Sequence, residues 1–367
     1  MSEFCRELHF LTFDIDNLSN HIVGAISIFN ALAVLLRGSD EECKKELLER
    51  LHVVEGEEHE IISRIFKEIL EGAGKSEFIS SNAVFTESQL KNSFVEDVDK
   101  FYDCKCRITP FSAAKEESIK AINDFVNEST KGKISEIIKD FNSDVSVIII
   151  NTVYFKGFWE QIFEKSSTVE KEFFKTDGSV VKSKFMHSKQ KVLSYQSEEC
   201  RAIQLSFKDS NIKCLLAMPN ENITLADFLT ELKNDQKKFK DLLNVQKYRR
   251  VNEMKLSLPK FKISSDIEMN KSLQNYGLLK MFDPSKVNFK EMTDEDLFVS
   301  DVVHKAVFEF NEDGAEAAAA TMITMSRMAM FNPEEQFFHL NRPFLFGLIT
   351  DKGIPLFLGH IVDPTLS

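Results

Sequence analysis

No apolar run in this sequence is long enough to cross a bilayer as a helix. A stretch such as "VSVIII" at 145–150 falls far short of the roughly 20 residues that a spanning helix needs. An excess of positive charge is missing too: the formal net charge is -12. That disfavours nucleic acid or an anionic membrane surface as the main partner. The basic stretch "QKKFKDLLNVQKYRR" at 236–250 reads instead as a lysine-rich helix surface. Cysteine is sparse. Six are present, at irregular positions: Cys5, Cys43, Cys104, Cys106, Cys200 and Cys214. Their spacing favours free thiols over a disulfide framework. The opening "MSEFCRELHFLTFDIDN" lacks a basic start, a long apolar core and a small-residue cleavage site, so it does not read as a secretory signal. A cytoplasmic protein is expected, with export by a route without a signal peptide as the alternative. Sequons at Asn17, Asn127, Asn222 and Asn270 would matter only in the second case. No repeat and no Pro/Gly/Ser-rich linker divides the chain, so 1–367 reads as a single domain with a large core, 43% of its residues being hydrophobic.

Catalytic and ligand-binding motifs are also missing. "EGAGKSEF" at 71–78 has Ile69 where a phosphate loop requires glycine, and it follows a helical pattern rather than a strand. It reads as a helix end and turn. "HEIIS" at 59–63 lacks the second histidine of a zinc-binding helix. "CKC" at 104–106 has no partner pair, and no G-x-S-x-G elbow occurs. An enzyme is not expected, and neither a cofactor nor a metal.

The first half of the chain is helical in pattern. "AISIFNALAVLLRGS" carries an apolar face at helical spacing and stops near Gly38; "SDEECKKELLERLHV" and "EEHEIISRIFKEILEGAG" open on acidic residues. "SIKAINDFVNESTKGKISEIIKDF" reads as two helices broken near Thr130 and Gly132. Strands follow. "SVIIINTVYFKGFW" (146–159) is continuously apolar, as suits a central strand buried on both faces. "CRAIQLSFKDSNIKCLLAMP" reads as a hairpin turned at 208–211, "MKLSLPKFKIS" alternates, and "FLFGLITDKGIPLFLGHIV" reads as two strands about 351–353. Helices first and strands later imply an α+β fold with large sheets.

"NEDGAEAAAATMITMSRMAMFNPEEQ" at 311–336 fits none of these classes: it is too apolar for a linker and too loosely patterned for a helix or strand. The segments around it explain it. "FHLNRPFLFGL" (338–348), "LGHIVDP" (358–364), "INTVYFKGFWEQIF" (150–163), "HKAVFEFNEDG" (304–314), "LPKFKI" (258–263) and "NDFVNESTKGKI" (123–134), in that arrangement, resemble the serpin family over essentially the whole chain. Without a signal peptide, the resemblance is to the intracellular ovalbumin-like type.

The resemblance implies three β-sheets, eight or nine helices and an exposed reactive-centre loop at about 312–335. It also implies a monomeric serine protease inhibitor that acts as a suicide substrate: the cleaved loop enters the central sheet and traps the acyl-enzyme. Gly314 would be a hinge with a free backbone. Ala315, Ala317, Ala318, Ala319 and Ala320 are small enough to enter a sheet, with Glu316 pointing outward. Counted from Glu312 at the family's usual spacing, the scissile bond is Met328–Ala329, which suits chymotrypsin-like, cathepsin-G-like or elastase-like proteases. Arg327–Met328 is the alternative and would suit a trypsin-like enzyme. A non-inhibitory serpin and a cross-class inhibitor of cysteine proteases are the other readings. By position, Glu312 and Lys260 would pair near Trp159 at the top of the main sheet. Ser27, Asn151 and His304 would form a hydrogen-bonded shutter. The family's Phe-Ser-Pro-x-Ser-Ile run reads "VGAISI" at 23–28. Gly24 and Ala25 replace its first serine and its proline, which implies a shutter short of one hydroxyl.

Overall fold

Apolar periodicity and local caps set the helices of the computed structural model, which describes residues 1–56, 58–74, 76–142, 145–285, 289–312 and 336–366. The amino-terminal half comprises α1 (Ser2–Leu11), β1 (His21–Val23), α2 (Ala25–Gly38), α3 (Glu41–Leu51), α4 (Glu58–Gly72), β2 (Glu77–Thr86), α5 (Asn92–Tyr102), β3 (Cys104–Ile108), α6 (Lys115–Ser129) and β4 (Val147–Lys156). Then come β5 (Val169–Phe174), β6 (Val180–Gln196), β7 (Cys200–Ser206), β8 (Ile212–Pro219), α7 (Leu225–Asn234), α8 (Gln236–Leu243), β9 (Arg249–Pro259), β10 (Phe261–Glu268), α9 (Asn270–Tyr276), β11 (Val299–Phe310), β12 (Gln336–His339), β13 (Phe344–Thr350) and β14 (Pro355–Ile361). Asp40 caps α3 by accepting from the Cys43 backbone N–H at 3.0 Å. α2 is buried on almost every side, Arg37 excepted, as expected of a helix apolar around its whole circumference.

Five strands form one sheet in the order β10-β11-β4-β2-β3. β4 is buried on both faces. Val147, Ile149, Val153 and Phe155 join the cluster that contains α2. Ile148, Ile150 and Tyr154 face α6 and the segment after it. This two-sided burial is why the strand reads as a continuous apolar run. β4 and β11 are parallel and directly paired from Val299/Val147 to Glu309/Lys156.

The other strands form a path β1-β14-β13-β8-β7-β6-β9-β12, with β5 beside β6. The long strand β6 pairs with β9 along most of its length and with β7 only at its end, 193–196. It thereby joins two sheets, β1-β14-β13-β8-β7 and β5-β6-β9-β12, into one hydrogen-bonded path. With the five-stranded sheet these make the three expected. The described residues hold nine α-helices. β9 and β10 are separated by Lys260 alone yet lie in different sheets.

One expectation fails. After α6 no second helix forms, although Ile134, Ile137, Ile138 and Phe141 have helical spacing. Their side chains are buried against β4 from an irregular backbone. Its polar groups are satisfied from a distance. Asn123 Oδ1 accepts from Ile137 N–H at 2.8 Å and from Ile138 N–H at 3.2 Å, and its Nδ2 donates to Ile138 O at 2.8 Å. Thr130 Oγ1 accepts from Ile134 N–H at 3.1 Å. Side-chain acceptors thus replace the helical ladder. Asn123→Ala is expected to cost about 1–3 kcal/mol in urea denaturation and to raise amide exchange specifically at 134–141.

Candidate functional site

Where β9 crosses to β10, Lys260 is fixed by its backbone N–H, which donates to Lys184 O at 2.8 Å. Its Nζ lies 2.6 Å from Glu312 Oε2, and Thr168 Oγ1 donates to Glu312 Oε1 at 2.7 Å. Glu312 is 5% exposed. Burial alone would raise its pKa, but the hydrogen bonds from Lys260 and Thr168 outweigh that and hold it below the ordinary glutamate value. Because Lys260 reaches solvent, the arrangement is worth about 1–2 kcal/mol. A depressed carboxylate pKa stabilises the fold above its unfolded value. That contribution is lost as pH falls through the folded value.

One residue earlier, Trp159 Nε1–H donates to Asn311 O at 2.8 Å. The indole stacks on Phe207 at 4.6 Å and meets Phe310 edge-on at 5.2 Å. Gly157 makes room for this: a Cβ there would lie 1.9 Å from the Phe207 ring. The chain leaving β11 is therefore fastened twice, by the Asn311 carbonyl and by the Glu312 carboxylate.

Midway down the sheet, register places His304 of β11, Asn151 of β4 and Asn82 of β2 in one row. Gly24 N–H donates to His304 Nε2 at 3.0 Å, and His304 Nδ1 lies 2.5 Å from Asn151 Oδ1. Since Nε2 accepts, Nδ1 carries the proton and donates to Asn151. Asn151 Nδ2 in turn donates to Ser27 O at 3.0 Å and Ser27 Oγ at 2.6 Å, and it also contacts Asn82 Oδ1. Ser27 Oγ lies 3.1 Å from Ser80 Oγ. Burial lowers the His304 pKa to about 3, so the neutral ring that this row requires is the form present at neutral pH.

The substitution at Gly24 acquires a physical reading here. An added Cβ would lie 2.5 Å from Val153 Cγ1 and 3.3 Å from His304 Cε1. The missing side chain lets the backbone N–H reach the imidazole. Ala25, beside it, is buried at the start of α2.

Gly314, Ala315, Glu316, Ala317, Ala318, Ala319, Ala320, Arg327, Met328 and Ala329 lie outside the described residues. Lys260, Glu312 and Trp159 are brought together at one end of the sheet, and Ser27, Asn151 and His304 in its middle. Thr168, Phe207, Ser80 and Asn82 were not anticipated. Asn82 stands in a strand-like run, "FISSNAVFT", where a buried amide hints at a partner. Thr168 carries no signal in the sequence.

The family profile described as Serpin (serine protease inhibitor) matches residues 2–364. The chain belongs to the serpin family. Serpin B6 of Pongo abelii is 30% identical over 362 residues, covering 95% of this chain and 94% of its own length. Human alpha-1-antichymotrypsin is 29% identical, covering 94% of this chain and 82% of its own. Among solved structures, the thermophilic serpin tengpin in the native state superposes with TM-score 0.85 at 24% identity, covering 99% of this chain and 92% of its own. Protease nexin-1 with heparin superposes with TM-score 0.87 at 24% identity, covering 99% and 98%. Within the serpin fold, the row centred on Asn151 ties together the strands at the middle of the main sheet.

Two outcomes are expected. Gly24→Ser should destabilise this serpin by about 1–3 kcal/mol by overpacking, and Val153→Ala in the same chain should recover part of the loss; paired denaturation curves measure both. Glu312→Gln should lower stability at pH 7 by about 1–2 kcal/mol. The deficit should shrink below the ordinary glutamate range, near pH 4, where the wild-type carboxylate protonates.

Proposed function

We propose that this serpin is a suicide-substrate inhibitor of a chymotrypsin-like, cathepsin-G-like or elastase-like serine protease, with Met328–Ala329 as the scissile bond. The observation that carries the reading is the direct parallel pairing of β4 and β11. The connection 311–335 leaves the end of β11 and rejoins the fold at β12. A segment that turned back from the end of β11 would run antiparallel to both strands, which is the direction a strand between them needs. It would exchange one parallel ladder for two antiparallel ones, which are slightly stronger per residue.

The covalent step is ordinary acyl transfer. The protease serine oxygen bonds to the Met328 carbonyl carbon, and the Met328–Ala329 C–N bond breaks. The Ala329 amine leaves with the proton taken from the serine. An ester then joins the protease to Met328. Insertion along β4, a strand of 10 residues, carries that ester about 33 Å at ~3.3 Å per residue. Serpin loop insertion is a known case of strain released by cleavage. Ala315 and the alanines of 317–320 suit the task because the flanking strands are already packed on both faces. A bulky inward side chain would slow entry and give water time to hydrolyse the ester.

Mixing the protein with a cathepsin-G-like protease should yield a covalent band that survives SDS, and the cleaved protein should melt at a higher temperature. Amino-terminal sequencing of the released fragment should begin at Ala329. A start at Met328 would transfer the reading to a trypsin-like target. Loop cleavage with neither a covalent band nor thermal gain would reject inhibition.

A further inference from the structure

Three histidines meet where α1 crosses the pair β1–β14, and neither the loop nor the shutter uses them. His21 and His360 are direct cross-strand partners. His9 lies over both. The ring centroids are 5.7 Å apart for His21–His360, 5.8 Å for His9–His21 and 6.3 Å for His9–His360. Phe13, half-buried in the link after α1, touches all three at 4.7–5.2 Å and closes the group from outside. His9 and His360 are 0% exposed and His21 is 6% exposed. Neither ring nitrogen of His9 has a hydrogen-bond partner among the described residues, and His360 has only the Ser19 backbone nearby. His21 Nε2 lies 2.9 Å from Thr12 Oγ1, whose own hydrogen goes to His9 O, so the imidazole is the donor.

Such a group is stable only while every ring is neutral. A proton on one ring would place an uncompensated charge in an apolar site, about 6 Å from two further imidazoles. Burial and the neighbouring rings hold His9 and His21 well below the usual histidine value. Burial holds His360 at about 4, although the Ser19 backbone favours its charged form. The titrating groups that act on the three rings are the rings themselves and His304.

Charged groups on the surrounding elements are turned elsewhere. Glu7 of α1 pairs with Arg6 at 3.5 Å. Asp266 of β10 pairs with Lys305 at 2.7 Å. Asp363, beyond β14, faces Lys175 at 3.8 Å and Thr365 Oγ1 at 2.6 Å. Glu231 of α7 binds Lys238 at 2.6 Å. On the link, Asp14 and Asp16 are exposed, as is Lys271 of α9. The face of α2 nearby is apolar.

We propose that His9, His21 and His360 form an acid-operated latch, which holds the segment 1–20 on β1–β14 at neutral pH and releases it below about pH 6. Each ring that takes up a proton on release favours the open form about tenfold per pH unit below the free-histidine value near 6.5. Stability from the three rings is therefore complete above that value and is lost as pH falls. The release is local, since α1 and the link carry His9 and Phe13 while β1 stays hydrogen-bonded to β14. It is independent of whether the chain traps a protease.

Hydrogen exchange on the full chain tests this, comparing amides of α1 with those of α6 after correction for intrinsic rates. Between pH 7.5 and 5.5, protection of α1 relative to α6 should fall about a hundredfold or more. In His9→Gln the fall should be about tenfold smaller, and His360→Gln makes the same comparison should that variant not fold. A relative change under about threefold in the wild type overturns the latch. So does an equal fall in the variant that folds, or simultaneous loss of protection in α6, because each of these makes the acid response global or independent of the rings.

Discussion

Where β4 meets β11, the imidazole of His304 donates to the carboxamide of Asn151 and accepts from the backbone of Gly24. This short row crosses the inner of the two parallel pairings in the five-stranded sheet, the other being β2 with β3 at its edge. A buried polar row is costly unless every member is satisfied. Here the partners come from α2, β2, β4 and β11 at once. Separating β4 from β11 therefore requires breaking the row and opening the packing of α2 beneath it. The same contacts that hold the sheet closed decide how readily it opens.

The end of the sheet obeys a different rule. Trp159 and Lys260 hold the Asn311 carbonyl and the Glu312 carboxylate, and the second fastening reaches solvent through Lys260. Interactions of this kind are modest in energy and exchange readily with water. Apolar packing around Phe207 and Phe310 sets the position, whereas the polar contacts set how easily the chain lets go. A closed middle and a releasable end are the two mechanical properties that a strand-inserting inhibitor needs.

Histidine connects these regions in charge as well as in space. His21 feels the charge of His360 beside it and of His304 in the sheet's central row, and only two residues separate it from Gly24. All four rings are neutral for the same reason, burial without a carboxylate partner. Neutral imidazole is a compact, hydrogen-bonding ring that packs like an aromatic residue. That usefulness ends when acid makes water a better environment than the core.

Sequence alone determined the elements with local causes. The two-sided burial of β4 was legible in its unbroken apolar run, the start of α3 in its acidic opening, and the hairpin of β7 and β8 in its turn residues. The family was legible in motifs spread from 123 to 364, because core and turn residues are constrained wherever they fall. The failed helix after α6 shows the limit: its apolar spacing was correct, but Asn123 and Thr130 took its backbone groups. No local pattern encodes that capture. Tertiary structure alone decided that Lys260 stands between two sheets, that Thr168 completes the Glu312 site, and that Gly24 presents an amide to His304. It also gathered His9, His21 and His360, which are far apart in the chain. Periodicity acts within a few turns of backbone, whereas hydrogen bonds and buried charge depend on which distant surfaces the fold presses together.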